Sequence, residues 1–264
     1  MICDLNVPWP VSDYTPITTK QLNSLKLTLA TLEELGYTHI AINFKINQSL
    51  KIPNLINEIN PINLNDFKEF NQRLKIFTRI TIIISDPSQC QNISKFQQVF
   101  DILSIEPITE KALLLSISNF EIDLISLDLS LKLPCYLKPK TICSGIEKGL
   151  FFEIKYGDLL NTNTSNRSLT ISNIKQLIRA SRSRGLICSS GCSSISTMTH
   201  LLRSFNDVVN LLILIGLDNN RSSQTMKDWS LKVLINGRLR IKSYKQVIVI
   251  SGDGNLIDNS LEKK

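Results

Sequence analysis

Short apolar runs alternate along this chain with stretches in which apolar residues recur every three or four positions, and the alternation holds for most of its length. The short runs fall at residues 2–5, 39–43, 79–84, 100–105, 122–127, 150–155 and 185–190. They are rich in β-branched residues and only a few residues long, which suits strands buried on both faces. Strands of that kind, separated by helical patterns, predict a parallel sheet with crossover helices and hence an α/β fold.

The clearest helix lies between the first two strands, where Leu22, Leu25, Leu29, Leu32 and Leu35 form one stripe. Thr18 or Thr19 is its cap and Gly36 its stop. Pro107 and Thr109-Glu110 ahead of Leu113-Leu114-Leu115 read as a helix entry. Residues 161–168 are expected to be a polar loop, followed by a helix marked by Ile171, Ile174, Leu177 and Ile178. Residues 198–205, 207–215 and 223–235 then read as consecutive helices closing one end, with Gly216 and Gly237 as stops. Regular alternation leaves an open doubly wound sheet or a barrel, and no G-x-G-x-x-G follows a strand to favour the former. Nothing divides the chain, so residues 1–250 are expected to form a single domain and 251–264 a polar tail.

Composition narrows the function classes. A chain of 264 residues carrying 30 Lys+Arg against 23 Asp+Glu, net +7, favours a polyanionic partner. The opening residues, with Asp4, Pro8 and Pro10, read as a strand of the folded domain and not as a secretory signal. The apolar run 208–217 is half of the ~20 residues a spanning helix needs, so no membrane segment is expected. Six cysteines without C-x-x-C pairs read as reduced thiols, and with only His39 and His200 as histidines a zinc site is not expected.

Catalytic chemistry on a barrel would gather acids, histidines or metal ligands at the carboxyl ends of strands. Here Asp4, Asp86, Asp123, Asp128 and Glu153 are scattered and each also fits a turn, a cap or an ion pair. No Gly-x-Ser-x-Gly elbow is present. The stretch Ser189-Ser190-Gly191-Cys192-Ser193-Ser194 offers amides to a phosphate, although a strand-exit turn explains it as well. His39 reads as a structural residue of a buried strand and His200 as a surface or packing residue.

The positive signals are cationic. Lys175, Arg179 and Arg182 share one face of the helix after residue 168, with Arg184 just beyond and no acid among them. A second acid-free cluster, Arg238, Arg240, Lys242 and Lys245, is read as an irregular or extended segment after a helix stop. These eight residues are the candidate RNA contacts, since Arg and Lys in such clusters track phosphates. A weaker third group is Lys132, Lys138 and Lys140 around prolines, and the small number of aromatics gives little support to base stacking.

Several segments also carry a resemblance. These are Asp4-Leu5-Asn6-Val7-Pro8-Trp9, residues 35–41, Arg79-Ile80-Thr81 with Asp86-Pro87-Ser88, residues 106–111, 120–129, 181–185 and 236–240. In order and spacing up to about Lys245 they resemble the protein-subunit family shared by eukaryotic ribonucleases P and MRP, in wording closest to the yeast form. The resemblance implies a TIM-barrel-like fold of about seven parallel strands with surrounding helices and a helical C-terminal closure, related to the polymerase and histidinol phosphatase phosphoesterases. It implies a subunit that is not itself the catalyst and needs no cofactor. Its implied partners are the catalytic RNAs of ribonucleases P and MRP, a ferredoxin-like small protein subunit and other protein subunits, in the nucleus including the nucleolus. The related phosphoesterases open with Asp-x-His-x-His, and the matching positions here are Asp4, Asn6 and Pro8. Neither asparagine nor proline replaces an imidazole ligand. The alternative, a metal-dependent phosphoesterase using Asp4, Asp86 and neighbouring acids, therefore lacks its histidines.

Overall fold

The computed structural model describes residues 1–47, 50, 52–53, 55, 58–70, 72–86, 93–119, 121–160, 164–191 and 199–242. All seven expected strands form and pair side by side in chain order, each parallel to the next. They are β1 (Cys3–Pro8), β2 (His39–Asn47), β3 (Lys75–Ile84), β4 (Ile102–Pro107), β5 (Leu124–Ile125), β6 (Phe151–Lys155) and β7 (Leu186–Ser189). The crossovers hold α1 (Thr19–Glu34), α2 (Ile93–Gln97), α3 (Glu110–Ser118), α4 (Pro139–Glu147), α5 (Gly157–Leu160) and α6 (Thr164–Ser181). After β7 come α7 (Phe205–Ile215), α8 (Asn219–Gln224) and α9 (Asp228–Lys242).

Local chemistry explains the helices. Thr18 caps α1 in a reciprocal box with Gln21, and Leu25, Leu29 and Leu32 are its buried stripe. Gly36 takes φ +85° just past its end, where a side chain would be strained. Thr109 accepts from the Ala112 amide to start α3, and Ser204 from the Asp207 amide to start α7.

Residues alternate along the strands between two environments, except at the irregularity between Asp4 and Val7 of β1. On β2, Ile40, Ile42, Phe44 and Ile46 join the main core beneath the helices. The other face points into the barrel, where Cys3, Leu5, Ala41, Phe77, Ile102, Leu124, Phe151 and Ile187 form an apolar ring near the strand starts. Val233 and Leu234 of α9 pack into that ring, so α9 is the floor of the barrel. The sheet closes without a β1–β7 ladder. At the lower seam, the Cys3 and Cys188 amides donate to the carbonyls of Met226 and Thr225, at 2.8 and 3.3 Å. At the upper seam, the Gly191 amide donates to the Asn6 carbonyl at 3.3 Å. A strap between α8 and α9 thus satisfies edge amides that would otherwise be open to pairing.

Several boundaries differ from the sequence reading for physical reasons. Residues 164–168, expected in a loop, are the first turn and more of α6, while 161–163 lie outside the described residues. Residues 199–201 are helical but 202–204 are not, so the helix expected over 198–205 is not continuous. The helix expected over 223–235 is two helices, α8 and α9, separated by the seam strap. Gly237, expected as a stop, lies inside α9, because a Cβ there would overlap the Asp101 carbonyl oxygen. It is a close-packing glycine, whereas Gly216 at φ +120° does end α7. Helix α4 was not expected at all; Pro139 at its first turn starts it. The tail expected at 251–264 lies outside the described residues.

Candidate nucleic-acid interface and the mouth of the barrel

The carboxyl ends of the strands surround a cavity of about 430 Å³. Its polar lining and the layer beneath it are built from inward positions two residues apart on four of the strands: Asn43 and Lys45, Arg79 and Thr81, Ser104 and Glu106, Glu153 and Lys155. At its centre the fully buried guanidinium of Arg79 meets both carboxylate oxygens of Glu153 at 2.7 Å. The same guanidinium donates to the Leu5 carbonyl at 2.7 Å, Ser104 Oγ at 3.2 Å and Thr81 Oγ1 at 3.3 Å. Glu153 also accepts from Ser189 Oγ at 2.6 Å and Asn6 Nδ2 at 3.1 Å. A chain from Thr81 to Asn43 to Asn6 completes the layer. Burial by itself would raise the Glu153 carboxyl, but Arg79 and then Lys155 outweigh it and hold the group down at about 2.

Nearer the mouth, Glu106 accepts from Lys45 at 2.9 Å and from Lys155 at 3.4 Å. Burial works against the Lys155 ammonium, yet Glu106, Asp158 and Glu153 raise it above the ordinary range. Asp158 is pushed up to about 6 by burial, with Lys155 opposing and Asp128 adding to the rise. Gly191 is required here, since a Cβ would overlap the Lys155 side chain.

These residues do not fit a metal centre. Glu153 is committed to Arg79 and Glu106 to two lysines, and no group of three His, Cys, Asp or Glu with metal-holding geometry occurs among the described residues. Neither Asp4 nor Asp86 lines the cavity. Asp4 lies at the β1–β7 seam, accepting from the Ser190 amide at 3.2 Å and the Asn6 amide at 3.1 Å. Burial raises its carboxyl against those hydrogen bonds, which favours the neutral acid. With the Ser190 amide on Asp4 and the Gly191 amide on Asn6, a phosphate cradle at this turn has lost two of its donors; residues 192–194 lie outside the described residues. His39 is buried, bonded to Thr38 and stacked on Phe77, while His200 is exposed.

The expected cations divide into three settings. Lys175 and Arg179 stand exposed on the outer wall, on α6. Arg182 and Arg184 are exposed in the turn from α6 to β7, on the lower rim; α6 ends at Ser181, so Arg182 does not continue the helical face as expected. Arg182 and Ser183 adopt φ +53° and +57°, unusual for residues with side chains. Arg238, Arg240 and Lys242 of the second cluster lie on α9, a helix and not the extended segment expected, which carries them to the same lower end. Arg238 is exposed and lies over the Phe77 ring at 4.9 Å. Arg240 is different: it pairs with Asp123 at 2.8 Å and donates to the carbonyls of Gln97, Phe100 and Asp101. Its side chain clamps α9 to the floor. Lys245 and the side chain of Lys242 lie outside the described residues.

The interior ion pairs were not singled out in the sequence. Their signal was the period-two placement of polar residues within otherwise apolar strands, as in Asn43, Lys45 and Asn47 between Ile42, Phe44 and Ile46.

Strand order, enclosing helices and plugged floor define the class: a TIM-barrel-like α/β protein. Among solved structures it is similar to a chain of archaeal ribonuclease P with mature tRNA, at TM-score 0.64 and 13% identity over 99% of this chain and all of that one. It also shares the fold of the Lactococcus lactis histidinol phosphate phosphatase, at TM-score 0.53 and 13% identity over 82% of this chain and 94% of that one. The chain belongs to the RNase P subunit p30 family, which it matches over residues 1–242. It is 44% identical to the Saccharomyces cerevisiae ribonuclease P/MRP protein subunit RPP1 over 99% of this chain and 90% of that protein. It is 34% identical to the probable ribonuclease P protein subunit 3 of Schizosaccharomyces pombe over 94% of this chain and 98% of that protein.

Proposed function

We propose that this chain is a non-catalytic protein subunit of ribonuclease P and ribonuclease MRP. It binds and stabilises their catalytic RNAs for removal of the 5′ leader from precursor tRNA and for processing of rRNA precursors. The observation that carries this reading is the 44% identity to a ribonuclease P/MRP subunit along 99% of the chain. The exposed cations of the wall and lower rim support it, because Arg and Lys neutralise phosphates and release counterions. A structural barrel without its own chemistry is supported by the mouth, where Glu153 is held by Arg79, and Glu106 by Lys45 and Lys155. Assembly with a ferredoxin-like small subunit and other proteins, in the nucleus including the nucleolus, belongs to the same proposal. On α7 the residues Val208, Val209, Leu212 and Ile215 are buried in the chain's own core, but Leu214 is 82% exposed, which supports a protein neighbour there.

Affinity purification of the tagged chain, with sequencing of the bound RNA and mass spectrometry of the bound proteins, tests the whole reading. Enrichment of ribonuclease P and MRP RNAs is expected. Absence of both RNAs, or phosphoester hydrolysis by the purified chain with manganese or zinc that disappears in Asp4→Ala, overturns it.

A further inference from the structure

The structure brings the segment before α4 against two cations of α6 that are far from it in sequence. The segment before α4 alternates in its burial: Leu133, Cys135 and Leu137 pack on the core, which turns Tyr136 and Lys138 outward. Asn173 of α6 fixes the preceding loop by donating to the carbonyls of Leu129 and Leu131 at 2.9 and 2.8 Å. Between this segment and α6 runs a groove of about 320 Å³, with Tyr136 on one side and Lys175 and Arg179 on the other. Ser172 and Gln176 supply uncharged hydrogen-bonding groups between them, and no carboxylate lines the groove.

Three features of this groove ask for a ligand. Tyr136 is 71% exposed, although an aromatic ring gains most by burial. Among the described residues neither Lys175 nor Arg179 has an ion-pair partner. Their α-carbons are one helical turn apart, about 6 Å along the axis, close to the spacing of successive phosphates in an extended strand. An outward planar ring beside two cations suits a base stacked on one side with its backbone phosphates on the other. An acidic peptide would use the cations but leave the ring without a role.

We propose that the groove between α4 and α6 holds an unpaired nucleotide of RNA, its base stacked on Tyr136 and its phosphates on Lys175 and Arg179. This assignment rests on the reading of the chain as an RNA-binding subunit and adds to it a place and a strand type. Below the groove, Arg182 and Arg184 on the lower rim extend the cationic path for the continuing backbone. The path is sequence-tolerant, since every base presents a face to stack.

The test is fluorescence anisotropy of the full chain with a labelled single-stranded RNA of about ten nucleotides, within one site size, and with its duplex. The single strand is expected to bind more tightly than the duplex. Tyr136→Ala is expected to weaken single-strand binding about tenfold while Tyr136→Phe, which keeps the ring, binds as the parent does. Lys175→Ala with Arg179→Ala should lower the salt slope by about 1.4, at 0.7 per single-strand contact. The melting temperatures of all variants should match the parent, because these side chains are exposed. Duplex preference, equal loss in Tyr136→Phe and Tyr136→Ala, or no loss in either overturns the proposal; so does displacement of the RNA by polyglutamate that Tyr136→Ala leaves unaltered, which would mark a protein-docking face. Pull-down of the cellular RNAs separates the two levels. If the parent chain recovers them and the groove variants fail the anisotropy test, only the groove is wrong; if the parent recovers none, the subunit reading falls with it.

Discussion

The central prediction concerns Arg79→Met. The substitution keeps an unbranched side chain in the barrel centre but removes the partner of a fully buried carboxylate, held at 2.7 Å through two oxygens. Breaking a buried pair from one side costs about 3–5 kcal/mol. Here the Leu5 carbonyl, Ser104 and Thr81 lose a partner as well, so the upper half of that range is expected, about 4–5 kcal/mol. For a chain of this size that corresponds to a fall in melting temperature of at least about 8 °C, at roughly 2–4 °C per kcal/mol. Urea denaturation of Arg79→Met, Glu153→Met and the double variant measures the coupling. The double variant should recover about 2–3 kcal/mol of the summed single losses, since an apolar pair leaves no buried charge. Its recovery stays incomplete because Asn6 and Ser189 lose the carboxylate they donate to.

The pH dependence supplies an independent sign. The folded Glu153 carboxyl lies at about 2, below its ordinary 4.5, so its stabilisation is complete above pH 4.5 and is lost as pH falls through 2. Over the whole interval that is about 3 kcal/mol, at 1.36 per pH unit. In Arg79→Met the same carboxyl remains buried without its cation, burial raises it, and acidification from pH 7 to 5 should stabilise that variant relative to the parent. A single variant within about 1 kcal/mol of the parent, additive single losses, or no relative gain on acidification would refute the reasoning.

Gly237→Ala would ordinarily favour a helix by about 1 kcal/mol, but the overlap with the Asp101 carbonyl should reverse the sign and cost about 3 kcal/mol, read as a lower melting temperature. Arg240→Ala should destabilise by about 2–3 kcal/mol because Asp123 and three carbonyls lose their donor, whereas Arg238→Ala should cost under about 1 kcal/mol. If Arg238 contacts RNA, its loss also reduces the salt slope of binding by about one, and melts beside titrations at several salt concentrations separate the two effects. Asp158, raised to about 6 from 3.8 chiefly by burial, stabilises the fold fully below pH 3.8 and loses that contribution as pH rises through 6. Asp158→Asn should therefore flatten the fall in stability between pH 4 and 6, and an unchanged slope in the urea midpoint would locate the titration elsewhere.

The strands were legible because a parallel strand buried on both faces writes an apolar run that local chemistry does not disguise. Their ends were less so. β2 continues to Asn47 although Asn43, Lys45 and Asn47 look like a departure from the strand, because those residues line the cavity at the mouth. Helix α4 was hidden by Pro134 and Pro139, which read as loop residues until one of them is seen at a helix start. The clusters of cations could be counted but not sorted. Arg240 and its partner Asp123 are 117 residues apart, and Arg79 and Glu153 are 74 apart, so neither pairing has a local signature. Likewise the meeting of Tyr136 with Lys175 and Arg179 exists only once α4 lies against α6.

The floor of the barrel has a consequence for biogenesis. Every strand leaves the ribosome before α9, yet the apolar ring at the strand starts, from Cys3 to Ile187, has Val233 and Leu234 as its cover. Nascent chains fold from the amino end as they emerge. A chain halted between β7 and residue 228 would hold a nearly finished barrel with its base open and the Cys3 and Cys188 edge amides still without their strap. Such an intermediate is a natural client for a chaperone, and translation of the strap and α9 is the step that covers its base.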